Sequence, residues 1–131
     1  MDNTENTDIE PEEDNEENMM DRPSCGVAVR YAHKYNTDRL FLGPASKKSI
    51  AMFHSTACGH CEETLPHFRR ASMHLCGRVQ CVSVDVDLNE DLAEKLNITA
   101  LPTFIVFENG HTLRRSEGAA STFEIVNFAS R

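Results

Sequence analysis

The chain has no tryptophan and only two tyrosines, and no Lys or Arg occurs before Arg22. No apolar run approaches the roughly 20 residues needed to cross a bilayer, which argues against a membrane-spanning helix. The acidic start lacks the basic and then apolar pattern of a secretory signal. A soluble, cytoplasmic protein without membrane association is the expectation. Positive charge is scarce at one end only, because ten of the 21 Asp and Glu residues lie between Asp2 and Asp21. The remaining chain sets 13 basic against 11 acidic residues, a net +2 concealed by an overall formal charge of -8. No basic stripe is present, so nucleic acid has no electrostatic footprint to meet.

Residues 1–23 offer only Met1, Ile9, Met19 and Met20 as large apolar side chains. Such a segment cannot bury enough surface to offset its ordering entropy. It reads as a disordered, solvated acidic tail, with one domain over 24–131 and a monomer as the expected state. At 131 residues and 40% hydrophobic content, the chain suffices for one packed core.

Five cysteines in a chain without a recognisable export signal do not read as a disulfide framework, because cytosolic thiols are held reduced. Cys76 and Cys81 are expected to pack as small apolar residues, with a pair to Cys25 as the alternative. Asn97-Ile98-Thr99 fits a glycosylation pattern that has meaning only in a secreted chain, and is read as chance.

Along the chain, Gly26–Ala32 alternates as a strand, and Asn36 or Thr37 opens a short helix to Leu42 before Gly43-Pro44. Ser49–His54 (SIAMFH) reads as a central strand covered on both faces. A helix follows from Cys58 to Leu75, with Leu65, Phe68, Ala71, Met73 and Leu75 inward, Pro66 bending it and Gly77 ending it. Val79–Val86 is a second buried strand, and Asn89 caps a helix to Leu96. Thr103–Glu108 and Thr112–Ser116 form a hairpin about Asn109-Gly110, and Ser121 with Glu124 boxes the start of a last helix. The order β-α-β-α-β-α-β-β-α predicts an α/β fold, a mixed central sheet with helices on both faces.

Cys58-Gly59-His60-Cys61 sits where a buried strand feeds the first turn of a helix. Two intervening residues bring the sulfurs within disulfide range. Cys58 meets unpaired backbone N–H groups and the positive dipole end, which favour a thiolate, so it is the expected nucleophile. Cys61, one turn further in and better shielded, suits the resolving thiol that attacks the mixed disulfide from within. His60 is the expected tuner of the pair, through positive charge beside Cys58.

The stretch AMFHSTACGHCEETLPHF resembles the active-site segment of the thioredoxin family, and CGHC is similar to its protein disulfide isomerase form. ALPTFIVFENG resembles the segment that carries the family's cis-proline. The resemblance covers roughly Ser49 to Arg131 and implies a thioredoxin fold with thiol-disulfide oxidoreductase activity. It implies a cis bond before Pro102, pairing of the Leu101 backbone with a substrate strand, and a groove lined by Ala57, Gly59, Leu101, Pro102 and Gly118. Protein disulfides or thiols are the implied substrates, and a reductase or thiol pool the implied recycling partner. No cofactor is expected beyond the Cys58-Cys61 disulfide.

Several positions depart from the family pattern. Ala57 stands where the family usually has Trp, Met52 where it has a buried carboxylate, and Ser83 where it has that carboxylate's lysine partner. The absence of both charges avoids leaving one buried alone, but the proton route to Cys61 is left without its usual acceptor. A zinc site on the same cysteines needs four ligands in tetrahedral reach, and Cys76 lies about 22 Å along the helix from Cys61, so no metal is expected. His54, His67 and His74 read as ordinary surface or core histidines. The rival reading is a binding or adaptor protein that keeps the fold with a slow or vestigial site.

Overall fold

A computed structural model describes residues 29–33, 36–44 and 46–131. The expected acidic tail and the first part of the expected Gly26–Ala32 strand lie outside these residues. Five strands form one sheet in the order β1-β3-β2-β4-β5. They are β1 (Val29–Tyr31), β2 (Ser49–His54), β3 (Gln80–Asp85), β4 (Thr103–Glu108) and β5 (His111–Glu117). β3 runs parallel to both β1 and β2, whereas β4 is antiparallel to β2 and to β5. The mixed sheet is the one expected from early crossovers followed by a late hairpin.

Alternation along β2 divides the core. Ile50 and Met52 enter one cluster with Phe68, Leu75, Phe104 and Ile125, beneath α1 (Gly59–Leu75) and α3 (Thr122–Ser130). Ala51 and Phe53 face the other way, toward Leu40, Phe41, Val82 and Phe107, with Leu92 of α2 (Glu90–Lys95) against that cluster. A strand with both faces covered has no use for polar alternation, which is why SIAMFH is a nearly continuous apolar run.

Helix α1 buries Cys61, Thr64, Phe68, Ala71, Ser72 and Leu75, a stripe at three- and four-residue spacing. Met73, expected inward, is 39% exposed. It lies two residues from both Ala71 and Leu75, which at 3.6 residues per turn puts it on the opposite side. The expected short helix before Gly43 is a five-residue π-helical turn, Asp38–Leu42, closed by the Gly43 amide on the Asp38 carbonyl at 2.8 Å. Asn89 occupies the position before α2 but makes no side-chain cap. Its amide instead donates to the carbonyls of Asp85 at 2.9 Å and Ala32 at 3.4 Å, tying the ends of β3 and β1 together. At α3 the expected capping box between Ser121 and Glu124 is present.

The β4–β5 hairpin turns at Asn109 (φ 53°) and Gly110 (φ 81°), the two positive angles that a tight hairpin requires. A Cβ on Gly110 would lie 2.5 Å from the Leu42 carbonyl oxygen and 2.9 Å from that of Gly43. Gly110→Ala therefore meets left-handed strain of about 1–2 kcal/mol and a backbone clash in addition. Urea melts should show a loss above that strain for Gly110→Ala, and a change within about 1 kcal/mol for Asn109→Gly.

Candidate active site

β2 ends at His54, and Ser55-Thr56-Ala57 carries the chain to Cys58, the residue that caps α1. The cap is extended (φ -106°, ψ 112°), and the Cys58 sulfur accepts the Cys61 amide at 3.2 Å. A helix start leaves its first amides without partners, so a sulfur placed there satisfies one of them and is fixed in return. The Cys58 amide donates to the Ser55 carbonyl at 3.1 Å.

Across from the helix, the Cys58 sulfur lies 3.6 Å from the Leu101 carbonyl oxygen. The Leu101–Pro102 peptide bond is cis, Pro102 is buried, and its carbonyl accepts the Gly118 amide at 2.8 Å. Gly118 adopts φ 103°, a conformation natural to glycine. Cys58, the Leu101-Pro102 pair and Gly118, from three separate parts of the sequence, thus form one connected strip. Ala57, Gly59 and His60 are exposed next to it along the chain. His60 Nδ1 lies 3.8 Å from Glu63 Oε1, with both side chains 76% exposed, so the pair contributes little to stability. Glu63 was not singled out in the sequence, although its three-residue spacing from His60 was the available signal.

Cys58 and Cys61 are both free thiols, Cys58 half-buried and Cys61 only 1% exposed. Burial, and then contact with Cys58, pushes the Cys61 thiol up to about 12, against an opposing backbone hydrogen bond from Ser55. Cys61 is therefore protonated at neutral pH. Two further contacts frame the pair. Ser55 Oγ donates to Asp87 Oδ2 at 2.7 Å and accepts the Ala57 amide at 3.2 Å, which shapes the approach to the cap. His54 Nε2 lies 2.6 Å from Ser83 Oγ, so His54, expected to be an ordinary histidine, has a defined polar partner beneath the site. Burial lowers its pKa below the usual histidine value, partly opposed by Asp85. His67 links α1 to α3 through Thr122 Oγ1 at 2.9 Å.

Cys76, expected to pack as a free apolar residue, is disulfide-bonded. The alternative pair to Cys25 falls outside the described residues. Cys81 is free and 1% exposed, as expected of a strand residue in the core. Among the described residues no three His, Cys, Asp or Glu side chains are grouped to hold a metal ion. No described helix is long and apolar enough to cross a membrane.

A family model described as Thioredoxin matches residues 31–131. The chain is 32% identical over 104 residues to Thioredoxin Y, chloroplastic, of Oryza sativa subsp. japonica, across 77% of this chain and 62% of that protein. It therefore spans less than two thirds of that relative's length. It is 39% identical over 83 residues to Thioredoxin of Mycoplasma genitalium, across 63% of this chain and 80% of that protein. The solved structure of Malassezia sympodialis Thioredoxin superposes with a TM-score of 0.69 at 28% identity, covering 78% of this chain and 88% of that one.

Brief iodoacetamide treatment of the reduced protein at neutral pH should modify Cys58 and spare Cys61 and Cys81, because thiolate and access are both required. Peptide mass mapping reads the outcome, and preferential labelling of Cys61 would reverse the two roles. Burial also pushes the Cys81 thiol up to about 12 from its ordinary 9.0. The folded state then holds a proton that the unfolded state releases, so this stabilisation is complete below pH 9.0 and is lost as pH rises toward about 12. Denaturant melts across that range should show the decline, and Cys81→Ala should flatten part of it.

Proposed function

Because the chain belongs to the thioredoxin family, we infer that it is a thiol-disulfide oxidoreductase that exchanges disulfides with protein substrates through Cys58 and Cys61. The observation that carries this reading is the capping sulfur of Cys58, half-buried, held 3.2 Å from the Cys61 amide and facing the Leu101 carbonyl. That placement gives one thiol to the outside and keeps the second one turn behind it.

In the reducing direction, the Cys58 thiolate attacks one sulfur of a substrate disulfide, and the other substrate sulfur leaves with the electron pair. Cys61 then loses its proton and attacks Cys58. The Cys58-substrate bond breaks, the second substrate thiolate departs, and Cys58-Cys61 becomes the disulfide that holds the oxidised state. The substrate gains two electrons and the protein loses two. A reductase or small thiol pool returns them, and no dissociable cofactor is required. Exposed Gly118 beside the half-buried Leu101 suits an extended substrate segment, with Ala57 leaving the groove wall low where a larger residue would raise it.

Turnover is tested by insulin reduction with dithiothreitol. Cys58→Ser should remove activity, and Cys61→Ser should accumulate a mixed disulfide with the substrate. An inactive wild-type protein would instead favour the binding or adaptor reading. The potential is expected nearer the isomerase value of about -180 mV than the thioredoxin value of about -270 mV, a gap of roughly 4 kcal/mol. A positive charge carried by the His60 imidazole would stabilise the reduced pair, the helix dipole does so as well, and Met52 removes a negative charge that would oppose it. Glu63, 3.8 Å from His60, offsets part of the first effect. Equilibration against glutathione should show His60→Pro lowering the potential, and a wild-type value at or below about -270 mV would defeat the argument.

A further inference from the structure

Cys61 presents a chemical difficulty that the geometry around it answers. It is 1% exposed, so bulk water reaches its proton poorly, yet the second half of the exchange needs it as a thiolate. Met52, fully buried in the same cluster, offers no acceptor. What occupies that side of the sheet at the active-site end follows from strand alternation. Ile50 and Met52 point toward the cluster that contains Cys61, and His54 is the next residue of that series. The parallel register pairs Met52 with Ser83 and His54 with Asp85, so all four share one face. The imidazole is anchored there by the 2.6 Å contact between His54 Nε2 and Ser83 Oγ. Ser55, one residue on, begins the three-residue connection from β2 to the cap of α1 at Cys58.

We propose that His54, oriented by Ser83, is the base that receives the Cys61 proton when Cys61 resolves the mixed disulfide. The proposal rests on the redox reading given above. In the tautomer with Nε2–H donating to Ser83 Oγ, Nδ1 carries the free lone pair. The proton passes from Cys61 to Nδ1 directly or across one water. The Cys61 electron pair forms the bond to Cys58 Sγ as the Cys58-substrate bond breaks toward the substrate sulfur. The departing thiolate or water then recovers the proton from the imidazolium, leaving His54 neutral for the next cycle.

Burial keeps the imidazole neutral, and so able to accept, at pH 7. The charged group that faces it from β3 is Asp85, which acts in the opposite sense and would stabilise the transient imidazolium. At this end of α1 the titratable groups are the capping Cys58, the buried Cys61 and the exposed His60, Glu62 and Glu63, and the residue of β4 opposite Phe53 is the uncharged Thr103.

The test uses the full reduced chain mixed with Ellman's disulfide in a stopped-flow instrument. Attack by Cys58 releases one thionitrobenzoate, and resolution by Cys61 releases a second, so the two steps separate in one trace. His54→Gln keeps a hydrogen-bonding partner for Ser83 without a base, and His54→Phe removes both. In both variants the second phase at pH 7 should slow by on the order of 100-fold relative to the first. The wild-type second phase should also fall as pH drops below 6.5, a limb that both variants lose. An unchanged second phase in His54→Gln, or slowing in His54→Phe that His54→Gln restores, would overturn the proposal in favour of a structural role. A wild-type trace with no second phase would instead overturn the redox reading, and this inference with it.

Discussion

The first amides of a helix need acceptors from outside the helix, and at the start of α1 one of those acceptors is the Cys58 sulfur, 3.2 Å from the Cys61 amide. Much of the site follows from that contact. It sets the second thiol one turn behind the first, and it turns the Cys58 sulfur toward the Leu101 carbonyl at 3.6 Å. The central strand β2 and the buried stripe of α1 hold the helix end in place, with Phe68 and Phe104 packed at a ring separation of 6.0 Å beneath it. The fold thus delivers two sulfurs to one place in unequal surroundings, half-buried and fully buried. In the proposed exchange, that inequality lets one of them meet a substrate and the other release it.

The departures from the family pattern form a coherent set. Where a buried carboxylate and a lysine would sit, Met52 and Ser83 lie side by side in register, and no charge is stranded in the core. The hydroxyl left by that exchange is used, since Ser83 receives His54. Asp87, two residues beyond the end of β3, accepts the Ser55 hydroxyl and through it shapes the approach to Cys58. The polar support of the pair has moved from the sheet centre to the strand ends, where Asp85 and Asp87 keep access to solvent.

Legibility in the sequence followed the range of the interaction. Asn109-Gly110, the Ser121-Glu124 box and the strand-to-helix setting of Cys58 are local patterns, and each element stands where its residues imply. The cis bond before Pro102 was available only through resemblance, and the Cys58-Leu101 contact, across 43 residues, was not among the expectations. Interactions between strand ends were not legible: Asn89 bonds to Ala32, Ser55 to Asp87 and His54 to Ser83, and no spacing rule announces such pairs. Met73 failed for a simpler reason, being apolar but on the wrong side of a regular helix. For Cys76 the composition favoured an apolar packing role and left a pairing only as the alternative, whereas this residue is in a disulfide.

The central claim is that electrons leave this protein from one pair of sulfurs, at the start of α1. The reduced protein treated with one equivalent of a protein disulfide substrate, quenched with acid and digested without reduction, tests it directly by mass spectrometry. The account predicts a Cys58-Cys61 linked peptide in proportion to the substrate reduced, with Cys81 recovered as a thiol. Substrate reduction accompanied by any other new pairing, or by a pair that leaves Cys61 reduced, would contradict it.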